Sequence, residues 1–345
     1  MYPTARVATL GTPGSGIPTE ALRRAAVRAT WAPSVHNTQP WRFVIGHGVL
    51  EVHADFSRRL QVLDPTGRQL IISCGCAVFN ARVSLAADGF TAEVRRQAPG
   101  AGSDLLAELA GSSERDPVVA ALDPLLSLRR TNRRRFADDH VPSELLATLA
   151  DAATREGARL FVVSDRSHRV ATASLSRRAE AIEQSDPAYR AELRAWVTDD
   201  QQRSDGVPVS TLPRPVPSGA PCGTGEVPLR NYADPGDAGL PDVTSAGLDQ
   251  SLLLLGTDTD DVLAWLQAGE ALERVWLEVT RAGYAMSLFT QVIEVAGTRD
   301  SLRSELGLGM YPHVLLRVGR APATPASRRR KLVEVLRHTA GAGDV

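Results

Sequence analysis

The amino-acid sequence predicts an α+β fold in which one helix-and-sheet unit is built twice in a single chain. Three observations carry this. A helical pattern followed by strand-like runs appears near residue 20 and again near residue 145. Each is followed further on by a long helical segment, "RQLIISCGCAVFNARVSLAADGF" in the first case and "WLQAGEALERVWLEVTRAGY" in the second. Within these segments Gly75, Ala77, Gly89 and Phe90 match Gly269, Ala271, Gly283 and Tyr284 at a constant offset of 194. A glycine inside a helix costs about 1 kcal/mol against alanine, so it marks close approach of another backbone. The second glycine of each pair falls where a helix C-cap is expected, and the shared spacing reads as duplication.

The elements follow in order. "GTPGSG" (11–16) lacks the lysine of a phosphate-binding loop and follows no strand, so it reads as a flexible arm. A helix runs from Thr19, its N-cap, to Thr30. The connection "WAPSVHNTQPW" (31–41) leads to strands "WRFVIG" and "VLEVHAD", joined by a turn at His47-Gly48. The first long helix is apolar on more than one face and therefore buried, and "TAEVRRQ" is the next strand. In the second unit "LLATLADAATREG" is a helix ending at Gly157, and "RLFVVS" is a strand. "DPAYRAELRAWVTDDQQRSDG" reads as a polar amphipathic helix. From Gly206 to Pro241, eight prolines and six glycines oppose helix and central strand alike. A loop that long is a functional cover or is disordered. Together with the preceding helix it reads as an insertion, functionally a lid. The second long helix and the strand "HVLLRVGRA" close the pattern.

Composition narrows the function. With 43 % apolar and 23 % charged residues, the 345-residue chain can bury a sizeable core. A net charge of −1 excludes a polyanion binder as a whole and leaves only a local basic patch. No uninterrupted run of 18 apolar residues occurs, so no membrane-spanning helix is expected. "MYPTARVATLGTPGSG" shows no basic region followed by an apolar core, and a cytoplasmic location is the expectation. Cys74, Cys76 and Cys222 form neither a disulfide framework nor a zinc spacing. Cys74 and Cys76 read as small packing residues.

Two basic clusters stand out. "LRRTNRRRF" (128–136) holds five arginines between Arg129 and Arg135. A nucleic-acid patch or a solvated face would give such a run. Thr131 and Asn132 interrupt it, however, and the following "ADDH" would repel a phosphate backbone. A short arginine cluster can instead hold a single phosphate by charge-assisted hydrogen bonds. "SRRRKL" (327–332) taken alone reads as a solvated tail. His36 and His313 are isolated and read as packing or hydrogen-bonding residues. The sequence contains no HExxH, GxSxG or paired CxxC, so an enzyme of this kind needs a bound cofactor to do its chemistry.

"APSVHNTQPW" (32–41) closely resembles the flavin-contact loop of the nitroreductase family, and "RRTNRRRF" (129–136) resembles the arginine run by which that family grips the flavin phosphate and ribityl chain. "QVIE" (291–294) is similar to the segment that sets a backbone amide near flavin N5, and "SRRRKLVEVL" is similar to the C-terminal basic segment. Ordinary members carry both hallmarks in one chain, arginine run first, and two chains build two sites. Here the loop comes first and the arginine run lies in the other unit.

The resemblance therefore implies a nitroreductase-like fold, internally duplicated so that one chain mimics the family's dimer, most like the Acg-like branch. Residues 1–125 would be the half carrying the loop. Residues 126–345 would be the half carrying the arginines, with the lid-like insertion at about 185–245. Carried over, Pro33, Ser34 and Asn37 contact the isoalloxazine, while Arg130, Thr131, Asn132 and Arg134 hold phosphate and ribityl. Asn132 stands where the family usually has serine. Glu294 and the amide of Val295 approach N5, and Arg329, with Arg330 second, is the C-terminal phosphate partner. Gln39, Pro40 and Trp41 shape the loop. The implied cofactor is FMN, with NAD(P)H as transient reductant and a small organic acceptor such as a nitroaromatic or quinone. The implied assembly is a monomeric pseudo-dimer with no nucleic-acid or membrane partner. Two other functions stay open: an FMN-sequestering protein with little turnover, and a nucleic-acid binder through Arg129–Arg135.

Overall fold

The computed structural model describes residues 16–100, 102–112, 115–133, 136–137, 140–212, 225–232 and 251–338. Arg134, Cys222, most of the "GTPGSG" arm and parts of the insertion lie outside the described residues.

Helix α1 (Thr19–Ala29) buries Ala21, Leu22, Ala25, Ala26 and Ala29, the single stripe expected of an amphipathic helix. The connection after it leads to a hairpin of β1 (Trp41–Gly46) and β2 (Val49–Ala54). His47 and Gly48 both take positive φ, 50° and 76°, the two-residue turn whose twist suits paired strands. Helix α2 (Arg68–Ala87) follows, then β3 (Thr91–Arg96) and β4 (Leu105–Ser112). Short helices α3 (Pro117–Ala120) and α4 (Asp123–Leu126) lead towards the arginine run.

The chain continues through α5 (Ser143–Arg155), β5 (Arg159–Val162), α6 (Arg166–Ser185) and α7 (Pro187–Ala195). Next come β6 (Val197–Thr198), β7 (Val207–Pro208), β8 (Ser251–Thr257), α8 (Val262–Arg281) and β9 (Ala285–Leu288). Helices α9 (Gln291–Glu294) and α10 (Ala296–Glu305), strand β10 (Tyr311–Gly319), α11 (Leu332–Val335) and β11 (Leu336–His338) complete it.

Two main sheets result, with strand orders β11-β1-β2-β4-β3 and β5-β8-β10-β9, and β6 and β7 pair by themselves as a small third. Strand β11 lies parallel to β1, Phe43 opposite Leu336, so the tail beyond the second sheet returns to extend the first. Between the sheets α2 crosses α8 at the two glycines that the sequence comparison paired. A Cβ on Gly75 would lie 2.1 Å from the Leu266 carbonyl oxygen, and one on Gly269 would lie 2.0 Å from that of Ile72. No side chain fits either position. Beside the crossing, fully buried Glu270 on α8 accepts from Arg82 (2.8 Å) and Arg96 (2.5 and 3.0 Å), tying α8 to α2 and β3. One apolar core runs through both sheets, joining Trp41 and Phe43 to Leu253, Leu255 and Trp276.

One expectation is corrected. The helix expected over 186–206 ends at Ala195, and the rest forms turns and the short strands β6 and β7. Helix α2, with mean hydropathy 1.7 over its most apolar window, is long and apolar enough by composition to cross a membrane. Arg68, Gln69, Asn80 and Arg82 break its apolar run in the sequence without lowering the mean far. Its apolarity has a local cause, since 83 % of that window is buried inside the fold.

Candidate active site

The connection from α1 to β1 is the most constrained backbone in the described chain. His36, Asn37 and Gln39 take φ values of 46°, 56° and 51°, in the left-handed region that non-glycine residues rarely occupy. Such backbone persists only where its surroundings over-determine it. The fastenings are specific. Gln39 N–H donates to Ser34 Oγ (2.9 Å) and Val35 N–H to Ser73 Oγ on α2 (3.2 Å). Asn37 Nδ2 donates to the carbonyls of Gly206 (2.9 Å) and Arg328 (3.2 Å), and its Oδ1 accepts from Arg329 (3.1 Å). The Gln39 amide donates to Ser204 O (2.9 Å) and accepts from Arg330 N–H (2.7 Å). Three distant segments thus meet on this loop.

Held this way, the loop forms one wall of a cleft enclosing about 890 Å³, its mouth included. Pro33, Ser34 and His36 face Ile72 and Cys76 of α2, Leu272 of α8, and Ser287 and Leu288 of β9. Leu229, Arg230 and Tyr232, from the insertion, form a further wall. Arg230 is fixed by Glu294 Oε2 (2.6 Å), Thr290 Oγ1 (3.1 Å) and the Tyr189 hydroxyl. Burial, reinforced by the neighbouring Glu294 carboxylate, raises the Glu183 carboxyl well above its ordinary range. Burial, then the charges of Arg230 and Arg133, hold the His36 imidazole well below its ordinary value and hence neutral at pH 7.

Thr131 belongs to this cleft and also to a second, basic one lined by Trp31, Arg129, Arg130, Ser327 and Arg329. Buried Arg129 lies 3.1 Å from Glu273 and 4.7 Å over the Trp276 ring, and donates to the Trp31 carbonyl (3.0 Å). Burial raises Glu273 to about 7 against the opposing pull of Arg129. Arg329 donates to the carbonyls of Trp31 (3.1 Å) and Ala32 (3.2 Å), and burial pushes it down to about 9. Its Nε, like Nη1 of Arg129, is buried without a hydrogen-bond partner among the described residues. A mainly apolar slot and a pocket of guanidinium groups thus share one threonine in their walls.

No family model matches the chain. Over 327 residues it is 37 % identical to "Putative NAD(P)H nitroreductase Rv3131" of Mycobacterium tuberculosis, covering 92 % of this chain and 91 % of that one. The chain belongs to the nitroreductase family. It is also 32 % identical to "Putative NAD(P)H nitroreductase acg" of the same organism, over 94 % of this chain and 97 % of that one, which sets it with the Acg-like nitroreductases. The fold agrees with a crystal structure titled as a putative nitroreductase from Anabaena variabilis, with TM-score 0.51, 9 % identity and 88 % of each chain covered.

Within this nitroreductase the residues singled out from the sequence fall into two groups. Pro33 and Ser34 line the apolar cleft, Thr131 lines both, and Arg130 and Arg329 line the basic one. Asn37, Asn132 and Arg330 line neither. Asn37 and Arg330 fasten the loop, while Asn132 donates to the Pro322 carbonyl (2.7 Å) and so holds the C-terminal arm. Glu294 and Val295 also lie outside the lining: Glu294 is bound to Arg230, and the Val295 amide donates to Gln291 O (3.3 Å) at the start of α10. Gln39, Pro40 and Trp41 are buried and line neither cleft.

Sequence reasoning missed Gln69, Ile72, Ser73 and Cys76, which line the slot from one face of α2. Their i, i+3, i+4, i+7 spacing was the available signal. It also missed Arg133 as a lining residue, although it sits inside the arginine run, and Arg230 and Tyr232, for which no local pattern exists.

Proposed function

We propose that the chain is an FMN-dependent NAD(P)H oxidoreductase working through one composite site on a small organic acceptor. One observation carries this: the apolar slot and the arginine pocket share Thr131, so a ligand with a planar ring at one end and a phosphate at the other spans both. The donor set suits such a group, because buried Arg129 and Arg329 keep unpartnered N–H groups at the basic end. Bound there, FMN would supply the two-electron redox chemistry between NAD(P)H and the acceptor.

The protein positions and insulates. Arg130 and Arg329 hold phosphate, and Thr131 offers its hydroxyl to the ribityl chain. Pro33, Ser34, Ile72 and Leu272 flank the ring, while Leu229, Leu288 and Val314 keep water from it. The loop and the arginines come from residues 1–125 and 126–345 respectively, read here as two fused nitroreductase-like halves acting as a monomeric pseudo-dimer. A cytoplasmic location belongs to the same reading.

A second reading, sequestration of FMN with little turnover, has one observation in its favour. The wall made by Leu229, Arg230 and Tyr232 is bolted to α9 through the Arg230–Glu294 pair. The visible spectrum of the purified, FMN-supplemented protein, followed on anaerobic addition of NADH or NADPH, separates the two. Bleaching within seconds is the expected result. A bound flavin that stays yellow with both reductants supports sequestration, and absence of bound flavin contradicts both readings.

A further inference from the structure

The apolar cleft has an uneven charge balance. Among the described residues that line it there is no aspartate or glutamate, but there are two arginines, Arg133 and Arg230. Arg230 is matched, since Glu294 accepts from it at 2.6 Å. Arg133 has no ion-pair partner among the described residues. Beside it stands His36, whose two ring nitrogens are both buried and both without a hydrogen-bond partner. A buried polar group left unpaired costs about 1–3 kcal/mol, so an unpaired imidazole facing a cleft marks a place where a ligand atom belongs.

We propose that the acceptor taken by this cleft is a planar aromatic molecule carrying a carboxylate, and that Arg133 and His36 read that carboxylate. A neutral imidazole always presents one N–H donor. Arg133 adds a second donor with a full charge. A carboxylate accepts from both, and hydrogen bonds between ionised partners are roughly twice as strong as neutral ones. A nitro or quinone oxygen can accept from His36 but brings no charge to match Arg133. The apolar remainder of the wall, Leu229, Leu288 and the Tyr232 ring, suits the aromatic body. Among the described residues no carboxylate pairs with the Arg133 guanidinium.

The inference rests on the oxidoreductase reading, and flavin retention is measured separately so that failure of that reading is seen by itself. Binding of 4-nitrobenzoate and of its neutral counterpart 4-nitrobenzamide is measured by calorimetry on the FMN-supplemented protein without reductant. The carboxylate is expected to bind about tenfold tighter or better, the scale of one charged hydrogen bond. Arg133→Gln is expected to abolish the preference and Arg133→Lys to retain part of it. Equal affinity for the two compounds, or a preference that survives in Arg133→Gln, overturns the proposal. The oxidised cofactor NADP+, which carries the same phosphates and does not reduce flavin, is titrated into the same variants. Affinity unchanged within about twofold supports the assignment, whereas a loss of about tenfold gives Arg133 to a phosphate of the reductant and overturns it.

Discussion

The connections that follow α1 and α5 have the same position in the chain logic and opposite contents. Each carries the chain from an amphipathic helix into a strand that extends one of the two sheets. The second does so through residues 156–158, with Gly157 at φ 75° closing the helix: its N–H donates to Thr154 O and that of Ala158 to Ala153 O. Nothing more is needed to turn a helix into a strand. The first takes residues 30–40, places three non-glycine residues at positive φ, and recruits Ser204, Gly206, Arg328 and Arg330 to hold them. The surplus is what supplies Pro33, Ser34 and His36 to the cleft. Of the two connections only the first carries this loop, and the arginines that line the basic cleft, Arg129, Arg130 and Arg329, come from beyond residue 125.

The comparison can be broken at the element both regions share. Gly269→Val should cost about 3 kcal/mol, the upper end of what overpacking a core typically costs, because even its first carbon would overlap the Ile72 carbonyl. Denaturant melts check this, and a variant as stable as the parent contradicts the crossing of α2 and α8.

Within the first connection, Asn37→Ala removes three hydrogen bonds and leaves the Gly206 carbonyl short of a donor, while Arg328 O keeps that from Arg329 (3.1 Å). A loss of about 2 kcal/mol in stability is expected, with weaker FMN binding because Arg329 loses its Asn37 partner. Melts and flavin fluorescence titrations measure the two effects. Arg130→Ala acts on the site more than on the fold. It should weaken FMN binding by about 1–3 kcal/mol while stability stays close to that of the parent. Gly157→Ala is the counterpart in the second connection. It should cost about 1 kcal/mol of stability, for an alanine at positive φ, and leave FMN affinity unchanged. An FMN-affinity loss in Gly157→Ala matching that of Asn37→Ala would abolish the distinction drawn between the two connections.

Much of the frame was legible because its signals are local. The hairpin turn at His47-Gly48 and the helix stop at Gly157, one residue past the Glu156 C-cap, each follow from residues within a turn of one another; Thr19, expected as the N-cap of α1, is instead its first helical residue, behind Pro18. The crossing glycines were legible because only backbone contact explains a glycine at an interior helical position. Strand β4 was missed because the alanines and glycine of "LLAELAGS" blur its alternation, although Leu106, Ala107 and Leu109 are buried. Strand β8 was missed because a continuous run such as "SLLLLG" does not distinguish strand from helix and follows the Pro/Gly-rich segment. At the site, the loop and the arginine run announced themselves by composition. The chemistry of His36 and Arg133 did not, since it depends on Arg230 and Tyr232, about 100 residues or more further along, and on what fails to pair with them. The expected N5 segment "QVIE" illustrates the converse: its sequence is distinctive, yet Glu294 is engaged by Arg230.

The account stands or falls on there being one site per chain, assembled from both units. Titration of the purified protein with FMN at concentrations where it is monomeric, read by flavin fluorescence and by gel filtration, tests this directly. The account predicts one FMN per 345-residue chain. Two FMN per chain, or binding that appears only when two chains associate, would contradict it.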